Sequence, residues 1–307
     1  MGVVTQPDRA AGRGHKLVAT PVKRTAEALG LRVLTPEKLK PFVDDARALG
    51  AEAFVVASYG KIVPQALLDA VPIAFNEHPS LLPLYRGATP LQSAIRDGRS
   101  ETGVTIIAMD AGMDTGDVLL QERTPIGATE TYGELHDRLA KRGAEMAVEA
   151  VDRYANGRLT RKPQSEVARD LGISDDEIAR SLTRPLRRED LVIDWRRPPD
   201  DIVRLVRSLA PAPFARTDYA GEAIKVVAAH AISLEQLQAQ LGGHKPWVSV
   251  GLSVSGVRGR ELLYAVHPDG AVVVDRLIAP SRGPLSGGAY ARGVLAKAQA
   301  RLDEATR

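Results

Sequence analysis

Asn76 and His78 stand two positions apart and carry the most chemistry for their spacing in this chain. They close an apolar run over 71–78 that reads as a strand, so both side chains point to one face. Asn76 is a neutral amide donor, and His78 titrates near neutral pH. Together they suit polarising a carbonyl and moving a proton. Such a pair also occurs as a hydrogen-bonded polar strand end, so the spacing alone leaves both readings open. Ser80 has no second His/Asp set beside it and reads as a loop hydrogen-bonder rather than a nucleophile. The elements that must hold the pair follow in sequence. A proline-bearing loop runs to Arg86-Gly87, and Thr89-Pro90 supplies an N-cap and first-turn proline for a short helix stopping at Gly98. Strand, loop, helix is the arrangement in which open α/β sheets place ligands.

The longer string is Asn76-x-His78-x-Ser80-Leu81-Leu82-Pro83-x-x-Arg86-Gly87. It continues in Glu101-Thr102-Gly103-Val104-Thr105 and in the 109–117 stretch that carries Asp110, Asp114 and Asp117. This combination resembles the signature of the 10-formyltetrahydrofolate-dependent formyltransferases. The resemblance implies a catalytic set of Asn76, His78 and Asp114. It implies a folate pocket lined by Ser80, Leu81, Leu82, Pro83, Asp110 and the segment carrying Tyr59, Gly60 and Ile62, the last largely through backbone groups. It also makes a cis Leu82–Pro83 bond plausible.

Bulk composition narrows the remaining classes. The 307 residues allow two domains with proper cores, and 44% hydrophobic with 26% charged residues is ordinary for a globular chain. No run approaches the roughly 20 apolar residues of a membrane span. There are no cysteines, which rules out disulfides and thiolate catalysis and is in keeping with a reducing, cytoplasmic setting. The net charge is +3 with an isoelectric point near 9.1, which permits a polyanionic partner. The Asp-rich 110–117 string lacks the spacing and closing Glu of a calcium loop, so no metal site is expected.

Along the chain, 2–5 reads as the end of a strand. The family's opening strand and helix, about thirty residues in a βα unit, have no counterpart before it. We take the natural start to lie upstream of Met1, the alternative being a truncated, impaired protein. Residues 5–16 form a long, Gly-rich, basic loop. It is either a solvated surface loop or an arm that neutralises RNA phosphates. The resemblance favours the second, with Arg9, Arg13, His15, Lys16 and Lys23 on the tRNA acceptor end. A helix over 21–29, strands over 31–34, 51–58 and 103–109, and a long helix behind a Thr131/Glu134 capping box complete the first half. That helix turns Leu135, Leu139, Met146 and Ala150 inward. Glu77 alternates onto the face opposite Asn76, where a covered sheet should bury it. Either that strand end meets water, or Glu77 has a cationic partner.

The expected architecture is α/β: a Rossmann-like, mostly parallel catalytic domain over 1–157 and a basic linker over 158–188 with one short helix capped by Ser174. A smaller domain over 189–307 follows, entered at Ile193-Asp194-Trp195. Its β-prone runs at 224–229, 247–254, 262–266 and 271–277 suggest a small antiparallel barrel, which the resemblance makes OB-like and tRNA-contacting. The implied reaction moves a formyl group from 10-formyltetrahydrofolate to the α-amino group of methionyl-initiator tRNA, as in translation initiation. The alternatives are formylation of an amino-sugar nucleotide, an inactive tRNA-binding protein, and hydrolysis of the formyl-folate.

Overall fold

The computed structural model describes residues 1–11, 16–246, 251–257 and 260–305. They divide into two compact units, each drawn from three stretches of chain. None of the helices among the described residues is long and apolar enough to cross a membrane.

The first unit takes residues 1–86, 103–122 and 140–182. Strand β1 (Gly2–Val4) pairs in parallel with β4 (Arg32–Leu34). Between them, β2 (Arg9–Ala11) and β3 (Lys16–Val18) form an antiparallel ribbon, so the basic segment read as a loop is a hairpin. Residues 12–15, and with them the expectations for Arg13 and His15, lie outside the described residues. Helix α1 (Pro21–Ala28) starts where the Thr20 hydroxyl accepts from the Lys23 amide at 3.0 Å, with proline in the first turn. Helices α2 (Val43–Ala48) and α3 (Gln65–Leu68) were not anticipated. They bury Phe42, Val43, Ala46 and Leu67 against Val4, Leu34 and Phe54.

The central sheet runs β5 (Phe54–Ala57), β6 (Ala74–His78), then, across helix α4 (Pro90–Arg96) in sequence, β7 (Glu101–Ala108) and β8 (Val118–Pro125). β5 and β6 are parallel, while β7 is antiparallel to β6. Helix α5 (Tyr132–Ala155) begins with the expected capping box: the Thr131 amide donates to Glu134 Oε2 at 2.8 Å, and the Glu134 amide to Thr131 Oγ1 at 3.4 Å. Leu135, Leu139, Met146 and Ala150 on it are all buried. Where the sequence suggests one short helix after it, two form. Helix α6 (Gln164–Leu171) ends at left-handed Gly172, and α7 (Asp175–Ser181) is capped by Ser174.

The second unit takes 87–102, 123–139 and 183–307. Thr89 precedes α4 but does not cap it with its side chain. Its hydroxyl donates instead to the Arg184 carbonyl at 3.0 Å, which leaves the first-turn proline to start the helix. Helix α8 (Pro199–Ser208) is followed by β9 (Ala215–Tyr219), β10 (Glu222–Ile232) and helix α9 (Leu234–Gln240). The chain then runs through β11 (Leu252–Val257), β12 (Arg260–His267), β13 (Gly270–Ile278), β14 (Pro284–Ser286) and helix α10 (Gly287–Ala305). The strands make an antiparallel sheet in the order β11-β12-β13-β10-β9, with β14 on β13. Alternation along β12 and β13 serves two cores. Leu263, Val272 and Val274 join Ile202 and Val206 of α8, while Tyr264, Ala271 and Val273 join Leu237 and Leu241. Among the described residues β9 and β11 do not pair, so the sheet stays open where a closed barrel was expected. The strand expected over 247–254 is described only from Leu252, since 247–250 lie outside the described residues.

Candidate active site

β6 sorts its side chains by strict alternation. Phe75 turns to α5 and meets Tyr154 edge-on, with ring centroids 5.9 Å apart. Glu77 lies on that same face against Gly143 of α5, where a Cβ would come within 2.6 Å of its carboxylate oxygen. The helix therefore makes room for Glu77 with a glycine, which accounts for a half-buried acid on a face that usually carries apolar residues. Asn76 and His78 consequently point to the opposite face, beside the loops.

Asp114 reaches them by an unexpected route. Because β7 is antiparallel to β6, its carboxyl end, Ala108, lies opposite Phe75, and Thr105 lies opposite His78. The three polar groups therefore do not share the carboxyl ends of parallel neighbours. Instead the 109–117 loop folds back. Asp110 Oδ1 takes the Gly112 amide at 3.0 Å and the Thr115 hydroxyl at 2.7 Å, and the Ala108 amide donates to the Asp117 carbonyl at 2.9 Å. Gly116 passes so close to the Ala108 carbonyl that no Cβ fits there. The turn holds Asp114 at φ +58°, a left-handed conformation costly for a non-glycine residue.

The result brings Asn76, His78 and Asp114 together. Asn76 Nδ2 is 3.5 Å from Asp114 Oδ1, and His78 Nδ1 is 3.6 Å from Asp114 Oδ2. His78 is 4% exposed, and its Nε2 donates to the Tyr85 carbonyl at 2.9 Å. A carbonyl only accepts, so the neutral ring keeps its proton on Nε2 and turns the Nδ1 lone pair toward Asp114. Burial pushes the imidazole below its ordinary value, against the Asp114 carboxylate and the Tyr85 carbonyl, which favour the charged form. Nδ1 is thus the atom at which this site can take up and release a proton.

The other candidate residues separate into two groups. Ser80 and Leu82 are fully buried: the Ser80 hydroxyl donates to the Leu84 carbonyl at 2.7 Å, and Leu82 packs with Ile107, Val118 and Val167. Leu81 packs on Gly103, and the Leu82–Pro83 bond is cis. Asp110 is exposed and spends its Oδ1 on its own loop. Tyr59 gives its carbonyl to Gln6 Nε2 at 2.6 Å and has a buried hydroxyl with no partner among the described residues, Gly60 is left-handed, and Ile62 is 93% exposed. In the basic segment Arg9 donates to Gln6 at 2.6 Å and Lys23 pairs with Asp8 at 2.9 Å, so both cations already hold intramolecular partners. Lys16 starts β3. Sequence reasoning missed Tyr85, which acts through its backbone and so leaves no side-chain signal. It also missed Gln164, which is remote in sequence.

Two family models match the chain: formyl transferase over residues 1–151, and the formyl transferase C-terminal domain over 185–295. The chain is 40% identical over 291 residues to the methionyl-tRNA formyltransferase of Stutzerimonas stutzeri, covering 94% of this chain and 85% of that protein. The chain belongs to the methionyl-tRNA formyltransferase family. A second member, from Granulibacter bethesdensis, is 38% identical over 306 residues, 98% of this chain and 88% of its own. Among solved structures, the sugar 3N-formyl transferase WlaRD superposes with a TM-score of 0.58 at 15% identity, covering 92% of this chain and 88% of that one. HypX from Aquifex aeolicus, solved with tetrahydrofolic acid, gives 0.56 at 18% identity over 86% of this chain and 43% of its own. At these identities the two structures share the fold of this chain.

Proposed function

We propose that this chain transfers the formyl group of 10-formyltetrahydrofolate to the α-amino group of methionyl-initiator tRNA. The observation that carries the reading is the pairing of near-full-length identity to methionyl-tRNA formyltransferases with Asn76, His78 and Asp114 inside mutual reach. The attacking amine must be neutral, and negative charge builds on the formyl oxygen as the new C–N bond forms. Asn76 Nδ2 makes only a long 3.5 Å contact to Asp114, so it is free to exchange that for the developing oxyanion. One such donor is typically worth about 3 kcal/mol. His78 Nδ1 receives the proton shed by the amine and returns it to the departing nitrogen of the folate. Asp114 offsets the charge that the buried ring carries in between. No covalent enzyme intermediate is required by this scheme.

The folate is expected beside 59–62 and Leu81, where the exposed Ile62 offers an apolar contact. For the tRNA, the basic ribbon is one contact, and the exposed pair Arg216 and Lys225, directly opposite each other on β9 and β10, suggests another. Like charges in that position are destabilising unless a polyanion relieves them. The test is direct: incubate the purified chain with 10-formyltetrahydrofolate and charged initiator tRNA, and assay formylmethionyl-tRNA. Formylation of a nucleotide-linked amino sugar instead, or release of formate without an acceptor, would replace this reading.

A further inference from the structure

Gln164, the first residue of α6, is 6% exposed, and its amide is saturated. Nε2 donates to the carbonyls of Asp114 and Gly116, both at 2.8 Å. Oε1 accepts from Arg86 Nε at 3.0 Å and from Arg86 Nη2 at 2.7 Å. Two donors face two carbonyls and two lone pairs face a guanidinium, so the amide has one permitted orientation. Reversing it would set N–H against N–H and oxygen against oxygen. The Asp114 carbonyl it grips belongs to the left-handed residue at the crest of the 109–117 turn, a conformation that persists only if something outside the turn enforces it. The same segment of chain also holds the other half of the site: Ser181 Oγ, at the end of α7, accepts the Tyr85 amide at 3.1 Å, and Tyr85 carries the carbonyl that orients His78.

We propose that Gln164 is a positioning residue that fixes Asp114 against His78 while anchoring Arg86, so that the polar stretch after α5 sets the geometry of the catalytic pair. This rests on the formyl-transfer reading for its effect on rate, though not for its effect on His78. Among the described residues the charged group facing that ring is Asp114, and Arg86 in turn interacts with Asp114 and Asp110. Burial lowers Arg86 while the two carboxylates support its charge, so Arg86 and Asp114 are linked through Gln164 as well as through space.

The experiment uses the full chain and two substitutions. Gln164→Met keeps the volume and removes both halves of the clamp. Gln164→Glu keeps an acceptor for Arg86 but turns an oxygen toward the two carbonyls. Both should lower kcat about 10-fold or more, while KM for the tRNA stays within about twofold, as for a group acting on the chemical step. The His78 ring, followed by NMR titration, should move to lower pH in Gln164→Met, in the direction produced by Asp114→Asn, because the carboxylate is no longer held beside it. A merely structural role would not shift that one histidine. Wild-type kcat and an unmoved His78 titration in Gln164→Met would overturn the proposal. So would full activity in Gln164→Glu, which becomes the deciding variant if the Met variant does not fold. If the wild-type chain forms no formylmethionyl-tRNA, the formyl-transfer reading falls, and the His78 titration alone decides the role of Gln164.

Discussion

His78 gives its Nε2 proton to the Tyr85 carbonyl at 2.9 Å, and that one bond decides which ring nitrogen faces Asp114. With Nε2 committed, Nδ1 is the working atom, and Asp114 Oδ2, 3.6 Å away, is close enough to offset the charge the ring gains on protonation. His78→Ala and Asp114→Asn should each lower kcat about 100-fold or more while the fold is retained. Steady-state kinetics with thermal unfolding as a control checks both. Asn76→Ala should fall in the same range through loss of a donor to the formyl oxygen.

The buried ring also makes stability depend on pH. The folded-state value of His78 lies below its unfolded value because burial outweighs Asp114 and Tyr85. Its contribution is therefore fully present above the unfolded imidazole value of about 6.5 and is lost as pH falls below it, toward the folded value. Chemical denaturation across pH 5 to 8 should show lower stability at the acid end. Part of that slope should vanish in His78→Gln. A slope of opposite sign would contradict the stated balance.

Gly143 and Glu77 form a matched pair. Gly143→Ala drives a methyl group into the Glu77 carboxylate, at a cost of about 1–3 kcal/mol for an overpacked contact. Glu77→Ala should remove most of that penalty, so a double-mutant cycle followed by urea unfolding is the measurement. Additive effects would mean that the acid swings aside without cost.

The basic segment over 5–16 predicts a salt-dependent effect. Arg13→Ala should weaken tRNA binding and reduce the slope of log affinity against log salt by nearly one. Turnover on a tRNA-free amine analogue should stay at the wild-type level. Filter binding at several salt concentrations would expose an arm that touches no phosphate.

The parts of this molecule that were legible in the sequence are those with a local physical cause. Alternation alone assigns Asn76 and His78 to one face and Glu77 to the other. The Thr131/Glu134 box and the helical spacing of Leu135, Leu139 and Met146 define α5. The direction of β7 has no such local cause, because a strand's residues do not record whether its neighbour runs with or against it. β8 escaped notice because Val-Leu-Leu is followed by Gln-Glu-Arg-Thr-Pro, which has neither a period nor a continuous apolar run. Gln164 sits in a polar stretch that reads as solvated, and its partners lie 78, 50 and 48 residues away. Hydrogen bonds of that reach are set by the tertiary fold.

β6 has one more consequence, for how this chain can change. Its two faces carry unrelated duties: Phe75 and Glu77 fit the underside of α5, and Asn76 and His78 serve the loops. A single residue inserted or deleted inside β6, between Ala74 and Phe75, would exchange the two sets, since a strand's period is two. Such a lesion would put an amide and an imidazole under the helix and a phenyl ring in the cleft, so helix packing and reactivity would fail together. Insertions should thus be confined to the loops, while point substitutions on either face can be tried independently. The strand acts as its own frame-check.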